Sequence, residues 1–314
     1  MEIKSNIQEQ KAPLIIFAYA RPDHLEKCLD SVATNKEAIE TDLFLFCDGA
    51  KNEKVAKRVQ EVQKIALQEK ERGRFKSVVV ECSTKNKGLA TSVINGVSEV
   101  IQKYGRCIVV EDDLILSKYF LKFMNGALDF YKKDDGIWGV TGYTYPFRSL
   151  RDYPHDCYLS YRISSWGWGT WSDRWETVDW EVKDYKELFY KPWRWIRFNR
   201  GGNDLFRMLR RQMQGKRDSW AVRFCYAQSR QNKMAIYPSK TLLINQGFDG
   251  QGTHCEPDYR FENATIDNQS EVFIFEKLNP DRKVLREFKS LFKVTPQEAL
   301  DSIKGKLQKL LRKA

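Results

Sequence analysis

A short apolar run, Cys107-Ile108-Val109-Val110, stops on three consecutive carboxylates, Glu111, Asp112 and Asp113. A continuous hydrophobic run with no polar alternation is the pattern of a strand covered on both faces, which places it inside a parallel sheet. The three acids then stand at the carboxyl end of that strand, where open α/β sheets bind their ligands. Adjacent like charges repel and resist desolvation, so at a sheet end they call for a cation or a polyhydroxylated ligand. Hard divalent ions fit, because they prefer carboxylate oxygen and share their shell with substrate phosphates. Without the strand before it, Glu-Asp-Asp would read as a solvated acidic turn.

The residues before this run repeat one grammar. Strands are predicted at Leu14 to Tyr19, Leu43 to Cys47 and Ser77 to Glu81, with helices starting at Arg21-Pro22-Asp23, spanning Glu53 to Arg72, and opening at Asn86-Lys87-Gly88. Pro22 pre-sets the backbone for a first helical turn, and Leu25, Cys28, Leu29 and Val32 fall at helical spacing behind it. Leu89, Val93, Val97 and Ile101 do the same in the third helix. Four strands alternating with three helices predict a parallel sheet with right-handed crossovers. No Gly-x-Gly-x-x-Gly follows the first strand and no Gly-x-x-x-x-Gly-Lys occurs, which disfavours dehydrogenase and P-loop chemistry.

Beyond Leu116 the pattern changes. A helix is predicted over Lys118 to Lys132, a strand over Ile137 to Tyr143 and an alternating strand over Cys157 to Ile163. A glycine and tryptophan loop, Ser164 to Trp171, comes next. Helices follow over Gly202 to Gln214 and Asp218 to Gln231, then one or two strands within Met234 to Ile244. A second glycine-rich loop, Gln246 to Cys255, carries His254. Any single tryptophan reads best as core, but Trp166, Trp168 and Trp171 interleaved with glycine suit a flat wall for a sugar ring.

The net charge is +11. Twelve Lys or Arg stand against Asp204 and Asp218 between Lys191 and Lys233. Neither an RNA-recognition signature nor zinc-finger spacing accompanies them, so nucleic acid is disfavoured as a partner. The seven cysteines are odd in number and form no Cys-x-x-Cys pair, as expected of buried thiols in a reducing compartment. No apolar run approaches ~18 residues and the opening residues lack a signal peptide, so a cytoplasmic protein, soluble or peripheral, is expected. Leu300, Ile303, Leu307, Leu310 and Leu311 repeat at helical spacing among five basic residues. With the aromatic and arginine stretch Tyr190 to Phe198, they predict contact with an anionic inner-membrane surface.

Four segments together resemble a known family: Phe17-Ala18-Tyr19-Ala20-Arg21-Pro22, Phe46-Cys47-Asp48-Gly49, Asn86-Lys87-Gly88-Leu89 and Val109-Val110-Glu111-Asp112-Asp113-Leu114. Over residues 13 to 255 the chain resembles the GT-A fold glycosyltransferases. It is most similar to the β-1,2-N-acetylglucosaminyltransferase of complex N-glycan assembly and to bacterial family-2-like enzymes of surface polysaccharide synthesis. The bacterial enzymes also carry a Trp-Gly-Trp-Gly-Thr-Trp loop and a Phe-Asp-Gly-x-Gly-Thr-His segment. The resemblance implies a Rossmann-like, mostly parallel sheet with helices on both faces and an elaborated acceptor-binding half. Residues 1–116 would form the nucleotide-sugar half of one domain, 117–260 the acceptor half, and 261–314 a basic, helical, membrane-proximal tail.

Carried over residue by residue, the resemblance implies that Ala18, Tyr19, Arg21 and Lys87 line the donor, with Arg21 near the diphosphate and Asp48 on the base. Glu111 and Asp112 would hold donor hydroxyls, while Asp113, joined by His254, would bind Mn²⁺ or Mg²⁺. The expected activity is divalent-metal-dependent, inverting transfer from a nucleotide sugar, UDP-linked first, to a saccharide or lipid-linked saccharide acceptor. Inversion needs a carboxylate base, for which Asp173, Asp179 and Asp218 are candidates. Asp218 stands out at the start of a tryptophan-containing helix, although a helix cap is the plainer reading of its position. A sugar-phosphate nucleotidyltransferase and a non-catalytic polysaccharide-binding module are the competing functions.

Overall fold

The computed structural model describes residues 10–247 and 265–293. Strands β1 (Leu14–Ala18), β2 (Asp42–Cys47), β3 (Ser77–Cys82) and β4 (Arg106–Glu111) lie parallel in the order β3-β2-β1-β4. Helices α1 (Pro22–Ala33), α2 (Glu53–Glu69) and α3 (Leu89–Tyr104) make the crossovers. The apolar runs are buried as the sequence predicts: every residue of β1 is buried, and Leu25, Cys28, Leu29 and Val32 form the inner face of α1. Leu89 departs from its helical stripe and is exposed at the first position of α3. Register sets Phe17 beside both Phe46 and Glu111, so the ends of β1, β2 and β4 come level at one rim.

The same sheet continues through the second half of the chain. β4 pairs antiparallel with β8 (Trp168–Trp171), followed by β6 (Ile137–Thr141), β9 (Met234–Pro238) and β7 (Cys157–Ser160), which completes eight strands. A two-stranded sheet of β5 (Leu114–Leu116) and β10 (Leu243–Asn245) brings the chain back over the rim. Helix α4 (Phe120–Tyr131) packs on the sheet, and α5 (Ser172–Trp175), α6 (Glu187–Tyr190), α7 (Pro192–Phe198), α8 (Asp204–Met213) and α9 (Trp220–Arg230) follow.

Two sequence expectations are corrected here. The glycine and tryptophan loop ends in a strand, and Trp168 and Trp171 are 1% and 5% exposed. The glycine explains why: a Cβ on Gly169 would lie 2.9 Å from the Cys107 carbonyl oxygen, so only glycine lets β8 lie this close to β4. The indoles then fill the core. Trp168 stacks on Trp220 at 4.9 Å, and Trp171 Nε1 donates to the Leu128 carbonyl at 3.1 Å. The strand at Cys157–Ser160 does not alternate but is buried on both faces, because α10 (Arg282–Leu291) packs against it.

Residues 265–293 lie along the body. Phe273 and Phe275 pack on Phe123 at 5.1 and 5.6 Å, and Phe288 of α10 contacts Tyr145 and Tyr237 at 5.3 and 5.5 Å. Among the described residues no helix is long and apolar enough to cross a membrane. The predicted amphipathic segment from Leu300 to Leu311 lies outside them, as does His254.

Candidate active site

The carboxyl ends of β1, β2 and β4 gather the predicted donor residues. The Tyr19 N–H donates to Asp112 Oδ2 at 3.1 Å, and Arg21 Nη1 donates to Asp113 Oδ2 at 2.8 Å. Asp112 and Asp113 are buried, and Asp113 Oδ1 has no hydrogen-bond partner among the described residues. The β10 end closes over this carboxylate: Gln246 N–H donates to the Asp113 carbonyl at 2.9 Å, and a Cβ on Gly247 would fall 2.2 Å from Asp113 Oδ2. A side chain at Gly247 would have to displace the polar ends of Asp113, Arg21 and Asn245, which lie within 2.9 Å of where its Cβ would be.

Burial, with the Asp113 and Asp112 charges, pushes Glu111 up to about 8. Burial and Asp113 push Asp112 up to about 7, against the Tyr19 N–H and Arg21. Asp113 is likewise raised by burial, although Arg21 opposes the rise. Arg21 is the main positive neighbour of the three acids, with His24 a weaker one at Asp113. That is a site short of positive charge.

Asp48 at the β2 end is held differently. Its Oδ1 accepts from the Gly49 and Lys87 N–H groups, both at 2.8 Å, and its Oδ2 accepts from Asn86 Nδ2 and Gly88 N–H, both at 3.0 Å. It fixes the turn that starts α3, where Gly88 adopts φ +78°. Tyr19 Oη accepts from Lys51 N–H at 3.1 Å across the same rim. Beside Asp48 a cavity of about 290 Å³ opens between β2, β3 and α3, with Phe46, Glu81, Lys87 and Glu99 on its wall. Burial and the hydrogen-bonded Glu99 carboxyl raise Glu81, while Lys87 opposes the rise.

Asp218 reaches this rim from α9. Its Oδ2 lies 4.0 Å from where a Cβ on Gly88 would be, which brings it against the turn that Asp48 holds. The cap reading is settled by its neighbour: Ser219 is the N-cap of α9, with Oγ accepting from Val222 N–H at 3.4 Å. The Asp218 carboxylate is 61% exposed and pairs with Arg223 Nη2 at 3.3 Å. Asp173 is engaged by Arg174, and Asp179 accepts from the Glu181 and Lys183 N–H groups in a surface turn. Of the predicted wall only Trp166 is partly accessible, edge-on to Tyr143 at 4.7 Å; buried Trp168 and Trp171 cannot touch a sugar.

The rim offers a divalent ion one unpartnered carboxylate oxygen, that of Asp113. Among the described residues no three His, Cys, Asp or Glu side chains converge on a metal-sized point. Asp113, with its unpartnered oxygen, would be the described ligand. Such an ion would complete its shell with diphosphate oxygens and water, as Mg²⁺ and Mn²⁺ do.

The GNT-I family matches residues 1–207, well over half of the 314 residues. The chain belongs to the GNT-I family. This bears out the GT-A glycosyltransferase resemblance read from its strand ends. No curated protein matches it. Among solved structures, TarS 1–349 of S. aureus is similar at 12% identity and a TM-score of 0.45, over 74% of this chain and 59% of that one. A cytidylyltransferase of Leptospira borgpetersenii serovar Hardjo-bovis shows 10% identity and a TM-score of 0.31, over 54% and 64% of the two chains. An active-site mutant of LgtC shows 12% and 0.31, over 53% and 60%. The GNT-I family member thus spans 59% of TarS 1–349, and none of these likenesses lends it a substrate.

Sequence reasoning gave Asn86 no role of its own and missed Asn245 and Arg223. Asn86 reaches Asp48, Asn245 Oδ1 accepts from Gly247 N–H at 2.6 Å, and Arg223 fixes Asp218.

Proposed function

We propose that this GNT-I family member transfers a sugar from a nucleotide-sugar donor, UDP-linked, to a saccharide or lipid-linked saccharide acceptor. Its setting is bacterial surface polysaccharide or lipopolysaccharide synthesis at the inner face of the membrane, and its chemistry is inverting and dependent on Mn²⁺ or Mg²⁺. The observation that carries the reading is the acidic triplet at the β4 end, in which Asp112 and Asp113 are buried and Asp113 keeps one oxygen unpartnered beside the Arg21 guanidinium. A divalent ion held by Asp113 would offset the charge that gathers on the leaving diphosphate.

The chain's own groups supply the rest. Arg21 orients Asp113 and stands beside the phosphates. Asp48, Lys87 and the adjoining cavity receive the nucleoside, while Glu111 and Asp112 accept from donor hydroxyls. Asp218 takes the proton of the acceptor hydroxyl as its oxygen attacks the anomeric carbon opposite the diphosphate. Because Ser219 serves the helix as cap, the Asp218 carboxylate is left to the cleft, with Arg223 setting its direction.

Donor hydrolysis across a panel of nucleotide sugars tests the reading. Release of UDP from one member with Mn²⁺, lost on chelation, is the expected result. Pyrophosphate release from a sugar phosphate and a nucleoside triphosphate would replace it with nucleotidyl transfer. Saccharide binding with neither activity would leave a binding module.

A further inference from the structure

Between Phe189 and Ile196 the surface is unusually apolar. Phe189, Tyr190, Trp193, Trp195 and Ile196 are each between 44% and 64% exposed. The two helices that carry them also bury an inner side, through Leu188 in α6 and Phe198 in α7, the latter edge-on to Tyr226 at 5.2 Å. Helices apolar on both sides do not fit a solvated surface, where the outer face should be polar. The rings are supported from behind: Phe189 packs on Tyr185 at 5.3 Å and on Phe206 at 5.9 Å, and Trp195 meets Phe206 at 6.3 Å. This is a braced plate of aromatic edges.

Positive charge surrounds the plate. From Lys186 to Arg217 the chain carries ten Lys or Arg against Glu187 and Asp204. Both acids are already engaged, Glu187 by Lys191 at 3.1 Å and Asp204 by Arg162 at 2.8 Å. Helix α8 buries Leu205 and Leu209 and leaves Arg207, Arg210 and Arg211 exposed.

We propose that the face built by α6, α7 and α8 docks on an anionic lipid bilayer. The proposal gives a surface to the membrane setting named above and rests on it. Tryptophan and tyrosine rings seat at the boundary between headgroups and acyl chains, and basic side chains beside them meet the anionic headgroups. An anionic bilayer answers both halves of this pattern at once. Helix α8 leads through Gly215, Lys216 and Arg217 to the candidate base Asp218. A lipid-linked acceptor held in the bilayer would then arrive on the side from which that carboxylate works.

Cosedimentation of the full chain with phosphatidylglycerol-containing vesicles, and with phosphatidylcholine vesicles as control, tests the proposal. Binding should require the anionic lipid and fall with salt. Trp193→Ser with Ile196→Ser, and separately Arg207→Glu with Arg211→Glu, should each weaken it by about tenfold or more, with melting temperature and soluble donor hydrolysis unchanged. Brominated lipids should quench wild-type tryptophan fluorescence more than that of Trp193→Phe with Trp195→Phe, which keeps the apolar surface. If the wild type binds and both double variants bind equally well, this face is wrong while membrane attachment stands through another segment. If the wild type ignores anionic vesicles at low salt, both readings fall. A self-association abolished by Trp193→Ser with Ile196→Ser, without vesicle binding, would assign the face to a second copy of the chain and overturn the proposal.

Discussion

Replacing Asp113 by Asn removes a charge and almost no volume, so its effects on stability and on ligand binding can be separated. At 2.8 Å, the Arg21 pairing has a Coulomb energy of ~6 kcal/mol at an effective dielectric of about 20. Against it stand a desolvation cost of several kcal/mol per ion and the repulsion of Asp112 and Glu111. The Asp113 carboxyl stays above its usual range in spite of Arg21, so the opposing effects win. Asp113→Asn should therefore leave the metal-free protein as stable as the wild type, or more stable by up to about 1 kcal/mol, about 3 °C in Tm. The same variant should lose the tightening of UDP binding by Mn²⁺. Thermal melts in chelator and calorimetric titration of UDP with and without MnCl₂ read the two effects. A metal-free variant melting more than about 5 °C below the wild type would make the Arg21–Asp113 pair a net structural bond. UDP affinity that still rose with Mn²⁺ would take the metal away from Asp113.

Other substitutions probe the same rim. Gly247→Ala would press a methyl to 2.2 Å from Asp113 Oδ2. It should cost about 1–3 kcal/mol in urea unfolding and abolish donor hydrolysis; wild-type values for both would mean that the chain does not cross Asp113 so closely. Asp218→Asn should lower sugar transfer by at least about 100-fold, with Tm and donor binding kept, whereas retained transfer would take the base role away from Asp218. Burial alone would raise Asp42, but hydrogen bonds from Ser77, Lys76 and Gln10 outweigh it and hold the carboxyl below its usual range. Its stabilisation is thus complete above about pH 4 and is lost as the pH falls through the lower folded value. Urea midpoints measured down the acid limb should fall less steeply for Asp42→Asn, and an unchanged limb would count against the shift.

The first half of the fold was legible because its signals are local. Continuous apolar runs mark β1, β2 and β4, Pro22 marks the start of α1, and Glu111 ends its strand where the sequence says it should. The second half depends on partners distant in the chain. Trp168 and Trp171 look like a loop wall because Gly169 breaks the strand pattern, and only the approach of β8 to Cys107 explains that glycine. The candidate site was readable as a set of acids but not as a geometry. Nothing local shows that Gly247 roofs Asp113, or that Ser219 relieves Asp218 of capping α9.

The four hydrogen bonds gathered by Asp48 carry a consequence for selectivity. A carboxylate has about four lone-pair directions, and here every one is in use. A nucleobase that hydrogen-bonds to Asp48 must therefore substitute for Asn86 or for one of the turn amides, so the contact trades one bond for another with little net strength. Discrimination among bases would follow from how well each ring's donor reproduces the position of the group it displaces. The penalty for a misfit would appear as motion of the Gly88 turn, against which Asp218 rests, and so as a slower turnover more than as weaker binding.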